Sequence, residues 1–293
     1  MTDIKEVIVV SGKGGTGKTS VVGPLVSLMT NRVAADCDVD AANLHMILNP
    51  VVIEEKEFIG GKKATIDPSR CTSCGTCRDV CRFQAISADY IVDHRQCEGC
   101  GACYFLCPAN AIDFPSTVAG SCYICKDKYS QPYVYAELLP GEENSGKLVT
   151  MVRSEAKALA EKNGCPLIVI DGPPGIGCPV IASMTGTHVA TVVTEPTISG
   201  FHDLERIIEL ARFFKCKTGV IVNKSDINPD FCKRIEDYCI TKETAFLGAI
   251  PYDHRITEAQ IQAKTILDIA PDSETSEIIR TIHKKISKIL EEL

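Results

Sequence analysis

No apolar stretch in this 293-residue chain approaches the roughly 20 residues that a membrane-spanning helix needs, so no bilayer span is expected. Excess positive charge is missing too. The 31 lysines and arginines face 38 aspartates and glutamates, and the net charge of −7 speaks against bulk binding to nucleic acid or phospholipid. No secretion leader is expected either, because Met1 to Glu6 is polar and the apolar run that follows, Val7 to Val10, has only the length of a strand. These absences predict a cytoplasmic protein with neither a membrane nor a nucleic-acid partner. Cysteine, by contrast, is plentiful. Sixteen cysteines in such a chain suit a reducing compartment, where thiolates hold metal rather than pair as disulfides. With 45% hydrophobic and 24% charged residues, the chain has the composition of a soluble protein with room for about two domains.

Eight of the cysteines fall into two runs, Cys71, Cys74, Cys77, Cys81 and Cys97, Cys100, Cys103, Cys107. The second reads C-x2-C-x2-C-x3-C-P with Pro108, and the first differs in carrying Arg82 at the proline position. The runs sit in an internal repeat: CRFQAI matches CPANAI, and the leading cysteines are 26 residues apart. A structural zinc site would use separated pairs and has no need of a third cysteine at the same gap, twice over. The pattern resembles that of bacterial ferredoxins, in which the fourth cysteine of each run ligates the other cluster. The resemblance implies one 4Fe-4S centre on Cys71, Cys74, Cys77 and Cys107, and a second on Cys97, Cys100, Cys103 and Cys81. Such a module has little apolar core, so its folding is expected to depend on metal. Cys122 and Cys125 form a further CxxC pair, which is a candidate for another metal or cluster, for a redox dithiol, or for two unliganded thiols.

From Val7 to Ser20 an apolar run leads into G-x-x-x-x-G-K-T at Gly12, Gly17, Lys18 and Thr19. Backbone N–H groups must curl around phosphate oxygens in conformations that side chains would block, which explains the glycines. The loop Gly12, Lys13, Gly14, Gly15, Thr16, Gly17, Lys18, Thr19 and Ser20 is the expected phosphate cradle. Lys18 is expected to reach the β and γ phosphates and Thr19 to ligate Mg2+, with the next helix presenting its positive end. Pro24 within that helix removes a hydrogen bond and predicts a kink.

Downstream, DCDVDAANLH carries Asp36 and Asp38 after a short apolar run, and PLIVIDGPPGIG carries Asp171 and Gly175. Val189–Val193, Val220–Val222 and Phe246–Ile250 follow as continuous apolar strands, buried on both faces and ending in TEPT, NKSD and PYD. Helical periods fall between them at Phe201–Phe214, Pro229–Ile240 and Ser276–Leu293.

The string GKGGTGKT, with its second lysine, resembles the deviant Walker A loop of MinD, Mrp and ParA proteins, a group that includes nitrogenase iron protein. On these motifs the chain is identified as a member of the CobQ/CobB/MinD/ParA nucleotide-binding family. The resemblance implies a doubly wound, mostly parallel α/β sheet, spanning 1–59 and 133–293, with an inserted α+β ferredoxin-like domain at 60–132. It implies Mg2+ and ATP as cofactors, with Lys13 reaching across a nucleotide-bridged homodimer or heterodimer to the partner's phosphates. Lys13, Lys18 and Asp38 take the catalytic roles, Asp36 and Asp38 the first switch, Asp171 the Walker B position and Gly175 the γ-phosphate sensor. Asn223, Pro251 and Asp253 are implied to contact adenine, although Asp226 in NKSD also matches a guanine reader. MinD proteins end in a membrane anchor, but the mixed charges and terminal Glu291 and Glu292 here favour packing against the sheet. No glutamine amidotransferase segment is visible, so corrinoid amidation is not expected.

The function expected from these residues is ATP-gated electron transfer through two 4Fe-4S clusters to a redox acceptor protein. The alternatives are a scaffold that delivers a metallocluster to an acceptor, using Cys122 and Cys125, and a ParA-like positioning ATPase with a redox sensor.

Overall fold

The computed structural model describes residues 4–142 and 146–293. Its strands in chain order are β1 (Lys5–Ser11), β2 (Arg32–Asp36), β3 (Val51–Lys62), β4 (Thr65–Ile66), β5 (Ile112–Asp113), β6 (Ser116–Lys126), β7 (Pro132–Leu138), β8 (Leu167–Pro174), β9 (Val189–Thr194), β10 (Lys217–Asn223) and β11 (Ala245–Ile250). The chain divides into two compact units, one of Met1–Glu55, Cys122–Glu137 and Asn144–Leu293, the other of Lys56–Ser121 and Leu138–Glu143.

The first unit is built on a sheet ordered β11-β10-β9-β1-β8-β2-β7-β6-β3, of which β3 and β6 continue into the second unit. Parallel pairing joins β1 to β8 and β9, β2 to β7 and β8, and β10 to β9 and β11. The uninterrupted apolar runs are buried as their pattern requires: Val7, Ile8, Val9 and Val10 are at most 1% exposed. Each such side chain contributes about 1.5–3 kcal/mol on burial, so β1 anchors the phosphate loop that follows it.

Helices cross between the strands. Ile198–Phe213 starts at Thr197, whose hydroxyl accepts from the Gly200 N–H at 3.0 Å, and Pro229–Thr241 starts at Asn228, whose carbonyl accepts from Phe231 at 3.0 Å. Glu274–Glu291 buries Ile279, Ile282, Ile286 and Leu290 in the same cluster as Leu247 and Ile250. Its apolar stripe therefore packs on the core. Among the described residues no helix is long and apolar enough to cross a membrane. Pro24 is buried inside the helix Lys18–Leu28, which runs uninterrupted through it, seven residues beyond the Gly17 cap of the phosphate loop.

The second unit has a small core of Ala64, Cys77, Ile86, Cys103 and Ile112. Its two halves repeat the same local geometry. Left-handed residues recur at matched places, Ser73 (φ 54°) with Gly99 (φ 63°), Gly75 (φ 86°) with Gly101 (φ 74°), and Gln84 (φ 53°) with Asn110 (φ 49°). Each half opens a short helix, Thr76–Asp79 or Ala102–Leu106, directly behind its glycine. The antiparallel pair β4–β5 joins Thr65 to Asp113 and Ile66 to Ile112, and an Ile86–Val92 bridge closes the other side.

Candidate functional site

Strand β1 ends at Ser11 and the helix begins at Lys18, leaving a loop whose backbone turns on Gly15 (φ 82°) and Gly17 (φ 81°). Gly17 is favoured for a second reason: a Cβ there would lie 2.2 Å from Asn223 Nδ2 and would displace that amide. Ser11, Gly14, Gly15, Thr16, Gly17, Lys18, Thr19 and Ser20 line a cleft with Asp38, Asp40, Asn43 and Pro174. The Thr16 hydroxyl is buried without a partner at this wall. Gly12 stands just outside the cleft lining, where a Cβ would meet Asp203 Cβ at 2.1 Å.

Lys18 is 6% exposed and is held by two carboxylates. Its ammonium pairs with Asp171 and stands 3.3 Å from Asp38 Oδ2. Burial works against the charge on Lys18, but Asp171, Asp38 and Asp36 outweigh it and raise the ammonium's pKa. Asp171 also accepts from the Thr19 hydroxyl at 3.2 Å, which joins β8 to the first turn of the helix Lys18–Leu28. Asp36 is fully buried and does not line the cleft; its oxygens accept from the Asp38 N–H at 3.0 Å and the Leu44 N–H at 3.2 Å. Burial, reinforced by Asp171, pushes the Asp36 carboxyl well above the usual range. Those two bonds tie Asp36 to the backbone of the segment that carries Asp38. Gly175 (φ 90°) donates its N–H to Ser11 O at 2.8 Å.

Lys13 lies against its own chain, donating to Ser199 Oγ at 3.1 Å and standing 3.6 Å from Glu195 Oε2. Glu195 also pairs with Lys224 at 2.6 Å, and Lys224 donates to Gly15 O at 3.2 Å. Sequence reasoning passed over Glu195, Ser199 and Lys224, although Glu195 in TEPT and Lys224 in NKSD were marked by their places at strand ends.

The residues expected at the base have other partners. Asn223 donates from Nδ2 to Thr16 O at 2.8 Å, and Asp226 accepts from the Tyr252 N–H at 2.6 Å. Pro251 begins the short segment between β11 and the next helix. Asp253 caps that helix, accepting from Arg255 Nε at 2.8 Å, Arg255 Nη2 at 2.7 Å and Thr275 Oγ1 at 2.7 Å. Arg255 and Thr275 thus engage both carboxylate oxygens of Asp253. Arg255 first, and Thr275 with it, hold the Asp253 carboxyl down at about 2. A depressed carboxyl stabilises the fold above its unfolded pKa and loses that contribution as pH falls through its folded value. Asp253→Ala is expected to lower stability by about 1–2 kcal/mol at neutral pH, with the difference from the native protein shrinking between pH 4 and about 2. Urea melts at both ends of that window check it.

In the second unit the eight repeat cysteines ring two separate cavities. Cys71, Cys74, Cys77 and Cys107 line one together with Thr72, Thr76 and Tyr90. Cys97, Cys100, Cys103 and Cys81 line the other, with Phe83, Ile86 and Phe114. The partners of the two fourth cysteines are crossed between the runs. Backbone donors point at both of those sulfurs, Ala85 N–H to Cys81 Sγ at 3.4 Å and Ala111 N–H to Cys107 Sγ at 3.3 Å. Among the described residues no three His, Cys, Asp or Glu side chains are grouped to hold a single metal ion.

Cys122 and Cys125 correct an expectation. They lie three residues apart on β6, and side chains alternate along a strand, so the two thiols face opposite sides of the sheet. Both are at most 1% exposed, and burial pushes the Cys125 thiol up to about 12. Neither a chelate nor a dithiol switch fits that geometry.

The CobQ/CobB/MinD/ParA nucleotide binding domain model matches residues 7–266. An uncharacterized protein of Methanocaldococcus jannaschii is 33% identical over 290 residues, covering 98% of both chains. An uncharacterized ATP-binding protein of the same organism is 24% identical over 287 residues, covering 96% of this chain and 86% of its own. Among solved structures, the MinD cell division protein of Aquifex aeolicus aligns with a TM-score of 0.57 at 19% identity, covering 97% of each chain. MinD of Pyrococcus horikoshii complexed with Mg-ADP also aligns with a TM-score of 0.57, at 17% identity, covering 98% of this chain and 97% of its own. At these identities the structures show the fold.

Proposed function

The chain belongs to the CobQ/CobB/MinD/ParA nucleotide-binding domain family, and from that premise we propose an Mg-ATP hydrolase that gates electron transfer through two 4Fe-4S clusters to a redox acceptor protein. The crossed sorting of eight sulfurs into two cavities carries the reading. A ring of four sulfurs about a cavity suits a cube with one iron per sulfur better than a single tetrahedral ion. The N–H groups aimed at Cys81 and Cys107 supply donors to sulfurs that would carry negative charge as ligands. Bound clusters would supply one-electron carriage at low potential.

The protein's own residues supply the rest. Backbone N–H groups from Gly14 to Ser20 cradle phosphates, Lys18 offsets charge on them, and Thr19 beside Asp171 offers the Mg2+ site. Asp38 lines the cleft, within reach of an attacking water. Lys13 is the group that engages a second copy or a related ATPase. Its present partners, Ser199 and Glu195, are surface contacts worth no more than about 1 kcal/mol, so exchange for a phosphate is inexpensive.

The test is anoxic purification, followed by electron paramagnetic resonance and acceptor reduction with and without Mg-ATP. Different midpoints or reduction rates between nucleotide states are expected, and identical behaviour in both overturns the coupling. Lys13→Ala should bind nucleotide as the native protein does, yet lose nucleotide-dependent association and at least about tenfold in turnover. Sedimentation with an ATP analogue reads the first effect.

A further inference from the structure

The two sulfur nests are not chemically equivalent. In the internal repeat, Thr72, Ser73 and Thr76 of the first run stand where Glu98, Gly99 and Ala102 stand in the second. The first nest is thus rich in hydroxyls and the second has none at those positions. The Thr76 hydroxyl lies 3.4 Å from Cys74 Sγ, and the Ser73 N–H donates to Cys71 Sγ at 3.5 Å. Tyr90 borders the same cavity, its hydroxyl donating to Ser73 O at 2.7 Å and bracing the loop that carries those donors. Around the second nest the corresponding wall is apolar, with Phe83 and Phe114, and its added charge is the exposed carboxylate of Glu98.

We propose that this asymmetry splits the two centres in potential, so that the centre on Cys71, Cys74, Cys77 and Cys107 takes an electron before the centre on Cys97, Cys100, Cys103 and Cys81, with Thr76 as the main positioning residue. The proposal rests on the cluster reading above. Reduction adds negative charge that spreads onto the ligand sulfurs. A hydroxyl or amide donating to those sulfurs stabilises the reduced form more than the oxidised form and raises the potential. An apolar surround gives no such compensation, and a nearby carboxylate opposes the added electron. Glu98, being exposed, is screened by solvent and acts more weakly than a direct hydrogen bond. The shared features cancel: each nest receives one backbone donor at its fourth cysteine, from Ala85 or Ala111, at nearly equal distances of 3.4 and 3.3 Å.

The experiment is a dithionite titration of the anoxically purified holoprotein, followed by electron paramagnetic resonance, on the native chain and on Thr76→Val and Ala102→Thr. Valine keeps the shape of threonine and removes the donor; threonine at 102 supplies one to the second nest. The native protein is expected to reduce in two resolved steps. Thr76→Val should move the higher step to lower potential and leave the lower step in place. Ala102→Thr should move the lower step up, and both variants should narrow the gap. Iron and sulfide contents, each about eight per chain for two cubes, serve as the control for loading. A native protein lacking that iron and sulfide sinks the cluster reading itself. Full loading with a single unresolved step, or with midpoints that neither substitution moves, overturns the inference while leaving the cluster reading intact. Should Thr76→Val fail to load, the Ala102→Thr midpoint alone decides.

Discussion

Methionine in place of Lys18 is expected to lower ATP turnover by at least about 10²-fold, the loss typical when one preorganised charge-stabilising group is removed from a transition state. The geometry makes the effect larger than that of a surface lysine. The Lys18 ammonium is buried and fixed by Asp171 and by Asp38 at 3.3 Å. The same substitution should also destabilise the fold, because Asp171 and Asp36 lose their compensating charge in a buried setting, at a cost of about 3–5 kcal/mol if they remain ionised. The pH dependence has a definite sign. Burial and Asp171 raise the Asp36 carboxyl, and a raised carboxyl contributes stability below its unfolded pKa that is lost as pH rises through its folded pKa. The Lys18→Met protein should therefore fall further behind the native one at about pH 8 than at about pH 5. Turnover assays and urea melts at the two pH values measure both effects. Native turnover in the variant would place hydrolysis elsewhere.

Removal of iron, or the pair Cys77→Ser and Cys103→Ser, is expected to unfold the second unit and spare the first. Among the described residues, a small apolar cluster in the second unit comprises Ala64, Cys77, Ile86, Cys103 and Ile112, and two of those five side chains are proposed ligands. Without metal, so small a core cannot offset the backbone entropy of ordering residues 56–121, whereas metal ligation in small domains contributes on the order of 10 kcal/mol. The first unit has its own core along β1, β8 and the helix Glu274–Glu291 and needs no metal for it. Trypsin should then cut quickly at Lys62, Lys63, Arg70, Arg78 and Arg95, while ATP binding persists. A metal-free chain that resists cleavage there would show that the unit stands on packing alone.

Several elements are legible in the sequence itself. The runs Val7–Val10, Val189–Val193 and Val220–Val222 lie inside the strands Lys5–Ser11, Val189–Thr194 and Lys217–Asn223, because a strand buried on both faces admits little besides apolar side chains. Strands β3, β6 and β7 were not legible. Val51, Val52 and Ile53 are exposed on β3, and β6 and β7 carry cysteines and tyrosines rather than an aliphatic run, so the apolar pattern that betrays a buried strand is missing. Asp36 and Asp38 illustrate the same limit at the site. Two residues apart in DCDVD, they look alike as letters, but one carboxylate is consumed by the N–H groups of Asp38 and Leu44 and the other opens into the cleft.

Spacing alone determined the phosphate loop and the two cysteine runs, since both depend on residues close together in the chain, where a glycine or a two-residue gap leaves few conformations. Which carboxylate faces Lys18, what holds Lys13, the idle geometry of Cys122 and Cys125, and the hydroxyl beside Cys74 were decided in three dimensions. Hydrogen bonds and burial there join positions as distant as Lys18 and Asp171, or turn near neighbours to opposite faces of a strand, and neither outcome leaves a mark on the local order of letters.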